Sequence, residues 1–438
     1  MKIKVENFAK IKSACVNLDG YTIFVGDNNS GKTYLMQLIY GVLDSLKRIR
    51  FLSDNSLLSI NAAEVKKIIN NWLREKKDEI VFYTFKKKIS IGLLELDFLE
   101  TEKTFSVKKV TKEEYRSRGI REAAFLQESE EDYKIFSIYE NEKPIRTIFT
   151  HSRESEFLFR NELLRTAVGR ILGIGIFLPE KNIFLPASRS GLMLTRPFVF
   201  ANKNEEELLS AEDIQRARKK ENELGLTQPV YDFLYFLQTH KSSENQYNKN
   251  SSLISFINKN IIHGEMKKND NESVYKAEDL DEWLLPGYTS SMVNEISPII
   301  QILTSVSVRR IKFIFYDEIE TCQHPTTQIQ MARLLNRMVN AGYKMVVSTH
   351  SDTMAAAINI AIAIEKLKNF ENKLAEMGYE EEDILKKSDV VHAYQFIKRE
   401  GGTTVEEVKR HPSIGLDFDF TLFNEANKKL FESYQYLK

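Results

Sequence analysis

The chain has 438 residues, and its 62 lysines and arginines balance 62 aspartates and glutamates, so the formal net charge is zero. That balance argues against a protein that coats nucleic acid or membrane through bulk charge. A hydrophobic fraction of 42% supplies a packed interior and excludes a disordered chain. The length predicts two or three domains, or one large α/β unit with an inserted lobe.

The sequence also indicates the compartment. The two cysteines, Cys15 and Cys322, are too few and too isolated for a disulfide framework or a multi-cysteine zinc site. The N-terminal residues MKIKVENFAK lack the apolar region of a signal peptide. The longest apolar stretch, near residues 171–178, is far shorter than the roughly 20 residues of a membrane span. We therefore expect a cytoplasmic protein with no membrane partner.

The N-terminal segment has the pattern of strand, glycine loop and helix. Alternation of Ile3 and Val5 with charged residues predicts a strand over residues 1–8. The β-branched and aromatic run at 21–25, bounded by glycines, predicts a central strand. From about Lys32, apolar residues recur at helical spacing and predict a helix with one apolar face.

The middle of the chain alternates polar and apolar segments without one dominant pattern. Residues 45–151 suggest an inserted lobe, with possible strands at 81–85, 93–98 and 133–139. Helices are predicted over 154–172 and 204–224. The polar stretch HKSSENQYNKNSS, residues 240–252, has no periodicity and is expected to be a mobile loop.

The C-terminal third predicts a second strand and helix unit. An apolar run at 311–316 is followed by a helical pattern at 326–340 and a buried-type strand at 345–348. Strand, helix and strand in this order imply a parallel sheet covered by helices.

The strongest chemical signal is GDNNSGKT at residues 26–33, which matches G-x-x-x-x-G-K-[ST] between a strand and a helix. Glycines allow the backbone to surround phosphate oxygens with amides and a helix N-terminus. Lys32 would neutralise the terminal phosphates, and the Thr33 hydroxyl would bind Mg²⁺. The predicted nucleotide-binding residues are Gly26, Asn28, Asn29, Ser30, Gly31, Lys32, Thr33 and Tyr34.

An acidic pair and a histidine follow the two C-terminal strands. Asp317 could hold the Mg²⁺ water shell, and Glu318 could polarise the attacking water. Two acids after a strand are often only a solvated turn, but the P-loop favours the catalytic interpretation. His350 follows the next strand, where functional residues of a parallel sheet gather, and is expected to sense the γ-phosphate. A purely structural histidine is the alternative.

Hydroxyl residues precede the apolar segment at 292–303. Ser290 and Ser291 could cap a helix, or they could bind phosphate with the help of the helix dipole. Spacing alone leaves both possibilities open.

The order of these motifs resembles the ATP-binding cassette (ABC) superfamily in its chromosome-maintenance and DNA-repair branch. The opening ENFAKIKSACVNLDGYTIFVGDNNSGKTYL and the segment DEIETCQHP are similar to that branch. STHSD, residues 348–352, is similar to overcoming-lysogenization-defect (OLD) ATPases, and LPASRSGL, residues 185–192, is typical of them. The resemblance implies an α/β P-loop NTPase fold, an ABC-ATPase-type head with an inserted α+β lobe, and the use of ATP and Mg²⁺.

The resemblance also implies roles for individual residues. Lys32, Glu318 and His350 would be catalytic, with Glu318 as the base and His350 as the switch histidine. Ser290 and Ser291 would occupy the signature position that contacts the γ-phosphate bound by the opposite subunit.

The family pattern is not complete in this sequence. Met292 stands where the signature usually has glycine, and no glutamine-loop residue is assigned. The 88 residues after His350 leave no room for the C-terminal Toprim nuclease domain that related OLD enzymes carry. The resemblance therefore suggests a stand-alone ATPase.

The implied assembly is a homodimer or higher oligomer with ATP sandwiched between heads. Its expected partner is a separate effector, a nuclease or toxin, in anti-phage defence. The predicted divisions are 1–50 with the P-loop, 51–180 as inserted lobe, 181–285 as connecting helical region, and 286–438 as the C-terminal part of the head.

Three alternatives remain open at this point. Basic residues outnumber acidic ones over 66–121, so this region, with Lys86–Lys88 among its densest parts, could contact DNA or be a solvated face. Arg189 could be a structural ion-pair partner or could reach nucleotide or DNA. Asp417 and Asp419 could serve a nuclease, although a surface turn is the favoured interpretation.

Overall fold

The computed structural model describes residues 1–51, 58–117, 133–151, 156–174, 181–200, 225–269, 272–306, 311–367, 371–387, 389–411, 415–416, 432, 433 and 435. The helix predicted over 204–224 and the acids Asp417 and Asp419 lie outside these residues. Within the described ranges, every helix is too short or too polar to cross a lipid bilayer.

The strands of the described residues are distributed along the whole chain. They are Lys2–Phe8 (β1), Ile11–Asn17 (β2), Tyr21–Gly26 (β3), Ser59–Asn61 (β4), Leu93–Asp97 (β5), Thr104–Val110 (β6), Tyr133–Glu140 (β7), Lys143–His151 (β8), Lys181–Leu185 (β9), Gly264–Asn269 (β10), Glu272–Ala277 (β11), Ile311–Tyr316 (β12), Lys344–Thr349 (β13), Val391–Arg399 (β14), Gly402–Glu407 (β15), Arg410–His411 (β16) and Gly415–Leu416 (β17).

The α-helices of the described residues lie between these strands and at both ends of several of them in the sequence. They are Lys32–Leu46 (α1), Ala62–Phe85 (α2), Lys112–Ser117 (α3), Glu156–Leu172 (α4), Arg189–Phe200 (α5), Gln228–Thr239 (α6), Glu244–Lys249 (α7), Ser251–Ile257 (α8), Ser291–Thr304 (α9), Pro325–Asn340 (α10), Asp352–Ala363 (α11) and Glu371–Glu376 (α12). A π-helical turn spans Asn258–Ile262, and 3₁₀ turns span Pro286–Tyr288, Ile364–Leu367 and Glu381–Asp383.

One large mixed sheet joins the two ends of the chain. Among the described residues its strand order is β5-β1-β2-β15-β14-β3-β13-β12-β9. The strands from β14 to β9 pair in parallel, whereas β1 pairs antiparallel with β2 and β5. The fold is therefore α/β, that of a P-loop NTPase, as predicted. The parallel pairing brings the carboxyl ends of β3, β9, β12 and β13 to one edge of the sheet.

The core lies on both faces of this sheet because successive side chains of a strand point to opposite sides. Ile23 packs in one apolar cluster and Phe24 in the other, and Val347 and Val346 divide in the same way. Helix α1 covers one face, and α9 and α10 cover the other. Burial on both faces explains why β3 and β13 read as continuous apolar runs.

The strand predicted over 81–85 is wrong, because these residues form the last turn of α2. Asn61 and Glu64 form a capping box at the start of that helix, and Lys86 ends it in a left-handed conformation. The buried residues of α2, including Trp72 and Val81, follow helical spacing over its whole length. The longer periodicity overrides the β propensity of the short apolar run.

The mobile loop predicted over 240–252 is also wrong. Helix α7 and the start of α8 occupy this stretch, and both are tied to the end of α9. The Ser243 amide donates to the Thr304 carbonyl at 2.9 Å, and the Asn250 side chain donates to the Leu303 carbonyl at 2.7 Å. A backbone amide and a polar side chain in this stretch bind carbonyl groups that are distant in sequence, and periodicity cannot reveal such contacts.

The predicted inserted lobe contributes to two sheets. Strands β4, β6, β7 and β8 form a separate antiparallel sheet, in contact with α4. Strand β5, from the same part of the sequence, pairs instead with β1 at the edge of the main sheet. The divisions at 50, 180 and 285 stay a prediction, although β5 shows that the region 51–180 also completes the main sheet.

Candidate nucleotide-binding site

The P-loop between β3 and α1 depends on glycine at both ends. Gly26 and Gly31 have φ angles of 153° and 101°, in the region that favours glycine. A Cβ on Gly26 would lie 2.9 Å from the carbonyl oxygen of Phe396 in β14. Asn29 also adopts a left-handed conformation, with φ of 61°. These conformations close the loop over the start of α1.

Lys32 lies within this loop. Its Nζ donates hydrogen bonds to the carbonyl oxygens of Gly26 at 2.7 Å and Asp27 at 2.8 Å. Burial lowers the pKa of Lys32, although nearby carboxylates, Asp317 foremost, act in the opposite direction. An ammonium group has three donors, so one N–H remains for a further acceptor.

Asp317 follows β12 and connects three parts of the chain. Its side chain is 1% exposed. The Thr33 hydroxyl donates to Oδ2 at 2.7 Å, and the Ser348 hydroxyl at the end of β13 donates to Oδ1. Burial raises the pKa of Asp317, an effect that these two hydrogen bonds oppose. Hydroxyl donors therefore stabilise a carboxylate that has almost no contact with solvent.

Glu318 is half-buried beside this carboxylate. It has φ of 45°, a left-handed conformation, and its amide donates to Ser348 Oγ at 2.9 Å. Burial, and then repulsion from Asp317, raise the pKa of Glu318. A carboxylate with a raised pKa is a better proton acceptor near neutral pH than an ordinary one.

His350 is held by Glu320, a residue that the sequence analysis did not single out. Nδ1 of His350 lies 2.9 Å from Glu320 Oε1, and the His350 amide donates to the same oxygen at 2.7 Å. This bond raises the pKa of His350. Burial raises the pKa of Glu320, but the bonds from His350 outweigh it and lower the pKa overall. The only sequence signal for Glu320 was its place two residues after the acidic pair.

A cavity of about 420 Å³ opens over the P-loop. The Tyr34 ring, at its wall, stacks on Phe85 with centroids 5.3 Å apart. Lys87, from the basic region that could contact DNA or be a solvated face, also lines this cavity. The lining residues are Ala9, Lys10, Asn28, Asn29, Ser30, Gly31, Lys32, Thr33, Tyr34, Lys87, Ile89 and Glu318.

The residues present fit a phosphate chain with Mg²⁺. The Ser30 hydroxyl is buried within the loop without a hydrogen-bond partner among the described residues. The Thr33 hydroxyl and the Asp317 carboxylate provide adjacent oxygen donors, the type that Mg²⁺ prefers. An unsatisfied hydroxyl, a lysine with a spare donor and two hard oxygen ligands are thus collected at one place.

The two serines at the start of α9 lie elsewhere. Ser290 caps the helix by accepting a hydrogen bond from the Val293 amide at 3.3 Å. Both Ser290 and Ser291 are exposed, and neither lines the P-loop cavity of its own chain. The capping interpretation is therefore correct for Ser290, and a contact with a second chain stays a prediction.

We predict that the His350–Glu320 pair makes stability depend on pH. The raised pKa of His350 adds stability below its unfolded value of about 6.5, and this is lost as pH rises through the folded pKa. The lowered pKa of Glu320 adds stability above about 4.5, lost as pH falls through its folded pKa. Glu320→Gln should therefore lower the melting temperature most near about pH 5.5 and less near about pH 9.

Thermal unfolding at a series of pH values checks this prediction. Glutamine can still accept the hydrogen bond from the His350 amide. The pH-dependent part of the change in melting temperature therefore reports the loss of the Glu320 charge. Because His350 is partly exposed, the effect should stay below about 1 kcal/mol. If the melting temperatures of wild type and variant differed by the same amount at every pH, the ion pair would be contradicted.

The sequence pattern of the AAA ATPase domain family matches residues 1–301, which include the P-loop and Ser290. No curated protein matches the chain.

Three solved structures are similar over almost their whole length. An SMC head bound to the C-terminal winged-helix domain of ScpA has 13% identity and a TM-score of 0.38, with 93% of this chain and 97% of that chain covered. An Smc head domain with an extended coiled coil, bound to the C-terminal domain of ScpA derived from Pyrococcus furiosus, has 12% identity, coverage of 99% and 98%, and a TM-score of 0.36. The SMC head domain from Thermotoga maritima has 11% identity, coverage of 93% and 98%, and a TM-score of 0.35.

TM-scores below 0.5 do not support a functional inference. The family match, by contrast, spans well over half of the chain and contains the loop whose conformation is described above. The chain belongs to the AAA ATPase domain family.

Proposed function

We propose that the chain hydrolyses ATP in the cytoplasm, with Glu318 as the general base. The observation that carries this proposal is the meeting of Lys32, Asp317 and Glu318 beside one cavity, at the edge where the parallel strands end. Membership of an ATPase family supports nucleotide as the occupant.

Each side chain has a distinct part in this mechanism. Lys32 would use its remaining N–H for a terminal phosphate oxygen, and Ser30 would donate its hydroxyl to the phosphate chain. Thr33 and Asp317 would hold Mg²⁺, which neutralises phosphate charge. Glu318 would accept the proton of the attacking water, favoured by its raised pKa. His350 would donate a hydrogen bond to the γ-phosphate from an imidazole whose pKa Glu320 raises.

We predict that Glu318→Gln lowers ATP turnover by about 10²- to 10⁴-fold, because glutamine cannot accept the proton. ATP affinity should stay nearly unchanged, since the P-loop contacts remain. Phosphate release and fluorescent-nucleotide binding measure the two quantities.

Glu400→Gln is the matched control, because Glu400 is exposed and outside the cavity. It should retain wild-type turnover. Normal hydrolysis by Glu318→Gln would remove Glu318 as the base.

We propose further that ATP brings two copies together through the start of α9. Tyr288 is 78% exposed and Leu285 is 43% exposed, immediately before the exposed Ser290 and Ser291. Apolar surface next to free hydroxyls and a helix N-terminus suits contact with a nucleotide held by another chain. ATP would then close the dimer, and hydrolysis would open it.

We predict that Tyr288→Asp weakens this association, because it places a negative charge at the proposed contact. Light scattering of Glu318→Gln with ATP should give a dimer, and adding Tyr288→Asp should shift it towards monomer at equal ATP occupancy. Leu99→Asp, at an 89% exposed position in the segment after β5, is the control and should leave the dimer intact. Equal dissociation by both substitutions would argue against a contact at α9.

We propose that the closed dimer controls a separate effector protein, a nuclease or toxin, in anti-phage defence. This part rests on the resemblance of STHSD and LPASRSGL to OLD ATPases. Co-purification of a partner with the ATP-bound Glu318→Gln variant, but not with Lys32→Ala, is the expected result.

The alternative is an ATPase that acts directly on DNA, supported by the basic residues over 66–121. Lys87 separates the two functions, since it lines the nucleotide cavity while its neighbour Lys88 does not. Under the ATP-binding interpretation we predict that Lys87→Ala weakens ATP binding by about fivefold, as expected for one partly solvated charge.

Lys88→Ala is the matched control, because Lys88 is exposed and carries the same charge. It should bind ATP normally. The DNA-acting alternative predicts a different result. DNA would stimulate ATP turnover of the wild type, and Lys87→Ala and Lys88→Ala would each abolish this stimulation without changing ATP affinity.

A further inference from the structure

Arg189, whose role the sequence left open, is completely buried. Its side chain has 0% exposure and does not line the nucleotide cavity. Nε lies 2.7 Å from Oε2 of Glu295 in α9, and the Glu295 side chain is 1% exposed. A buried guanidinium in this position is available neither to DNA nor to the cavity. It forms an ion pair inside the protein.

The rest of the guanidinium group binds the backbone of the acidic pair. Nη1 donates to the carbonyl oxygen of Asp317 at 2.6 Å, and Nη2 donates to that of Glu318 at 3.2 Å. Nη1 also donates to the carbonyl of Pro186 at 2.6 Å, and the group lies over the Tyr316 ring at 4.5 Å. One side chain therefore holds consecutive carbonyl groups at the point where the chain leaves β12.

These bonds support a backbone turn that is otherwise unfavourable. Glu318 has φ of 45°, and residues other than glycine adopt this region only when their surroundings hold them there. Its amide is fixed by Ser348, and its carbonyl accepts from Arg189 at 3.2 Å as well as from the hydroxyl and the amide of Thr321. The direction of the Glu318 side chain, which lines the cavity, follows from this fixed backbone.

Glu295 connects the same group to the first turns of α9. Its Oε1 accepts a hydrogen bond from the Ser190 amide at 2.8 Å, while Oε2 pairs with Arg189. Glu295 lies four positions after Ser291, so the ion pair is about one helical turn from the exposed serines. A displacement of this end of α9 would act directly on the guanidinium that holds Glu318.

We propose that Arg189 and Glu295 are positioning residues that couple the start of α9 to the backbone of Glu318. This inference rests on the proposed function, in which Glu318 is the base and the serines contact a second chain. Neither residue touches the nucleotide. The pair would make turnover sensitive to the contact at Ser290 and Ser291, because that contact and the Glu318 turn share one buried ion pair.

Arg189→Lys is the first test. Lysine keeps the positive charge opposite Glu295, but a single ammonium cannot reproduce the planar fork that reaches both carbonyl groups. We expect kcat to fall by roughly tenfold or more, with ATP affinity within about twofold of wild type. A purely structural role would lower the melting temperature and leave kcat per folded molecule unchanged.

Glu295→Gln is the second variant, for use if Arg189→Lys does not fold. Glutamine can still accept from the Ser190 amide, but it removes the charge that orients Arg189. The same loss of kcat with unchanged ATP affinity is expected.

A double-mutant cycle tests whether Arg189 acts through Glu318. In the Glu318→Gln background, Arg189→Lys should cause no further loss of turnover. Losses that multiply would overturn the proposal.

Hydrogen exchange gives a readout that does not require hydrolysis. The peptide containing Glu318 should exchange faster in both Arg189→Lys and Glu295→Gln, and no faster in the double variant than in either single one. This result in a protein without ATPase activity would support the coupling while contradicting the proposed function. ATPase activity that requires Glu318, together with unchanged exchange in both variants, would contradict the coupling alone.

Discussion

The arrangement of the site depends on one buried carboxylate, that of Asp317. A carboxylate with 1% exposure is unfavourable unless nearby donors compensate for the water it has lost. Thr33 and Ser348 supply two of these donors, and the Asp317 carbonyl accepts from Arg189. The P-loop, the end of β13 and the segment after β9 must therefore meet at the end of β12. The parallel register of the strands makes that meeting possible.

The electrostatics of the site follow from the same burial. Carboxylates of Asp317, Glu318 and Glu320 surround one lysine, and burial raises the pKa of the first two while it lowers that of Lys32. This local surplus of acid favours a cation among the oxygen donors. The zero net charge of the chain conceals such local differences: acids concentrate around the P-loop lysine, while basic residues predominate over 66–121.

Much of the fold could be predicted because its signals are local. The strands at β3, β12 and β13 are apolar runs bounded by glycine or by polar residues, and α1 and α10 have an apolar face at helical spacing. The two errors have different causes. Residues 81–85 belong to a helix whose buried face is established over its full length, and residues 240–252 fold against the backbone at the end of α9.

The sequence alone determined the position of the P-loop, the acidic pair and the histidine along the chain, because each lies in a short contiguous motif next to a predicted strand. Only the tertiary structure decided which residues orient them. Arg189 lies 128 positions before Asp317, Glu320 lies 30 before His350, and Lys87 reaches the cavity from the end of α2. Such contacts depend on the register of a parallel sheet and on the desolvation of groups brought together by it. No local pattern of residue types encodes that register.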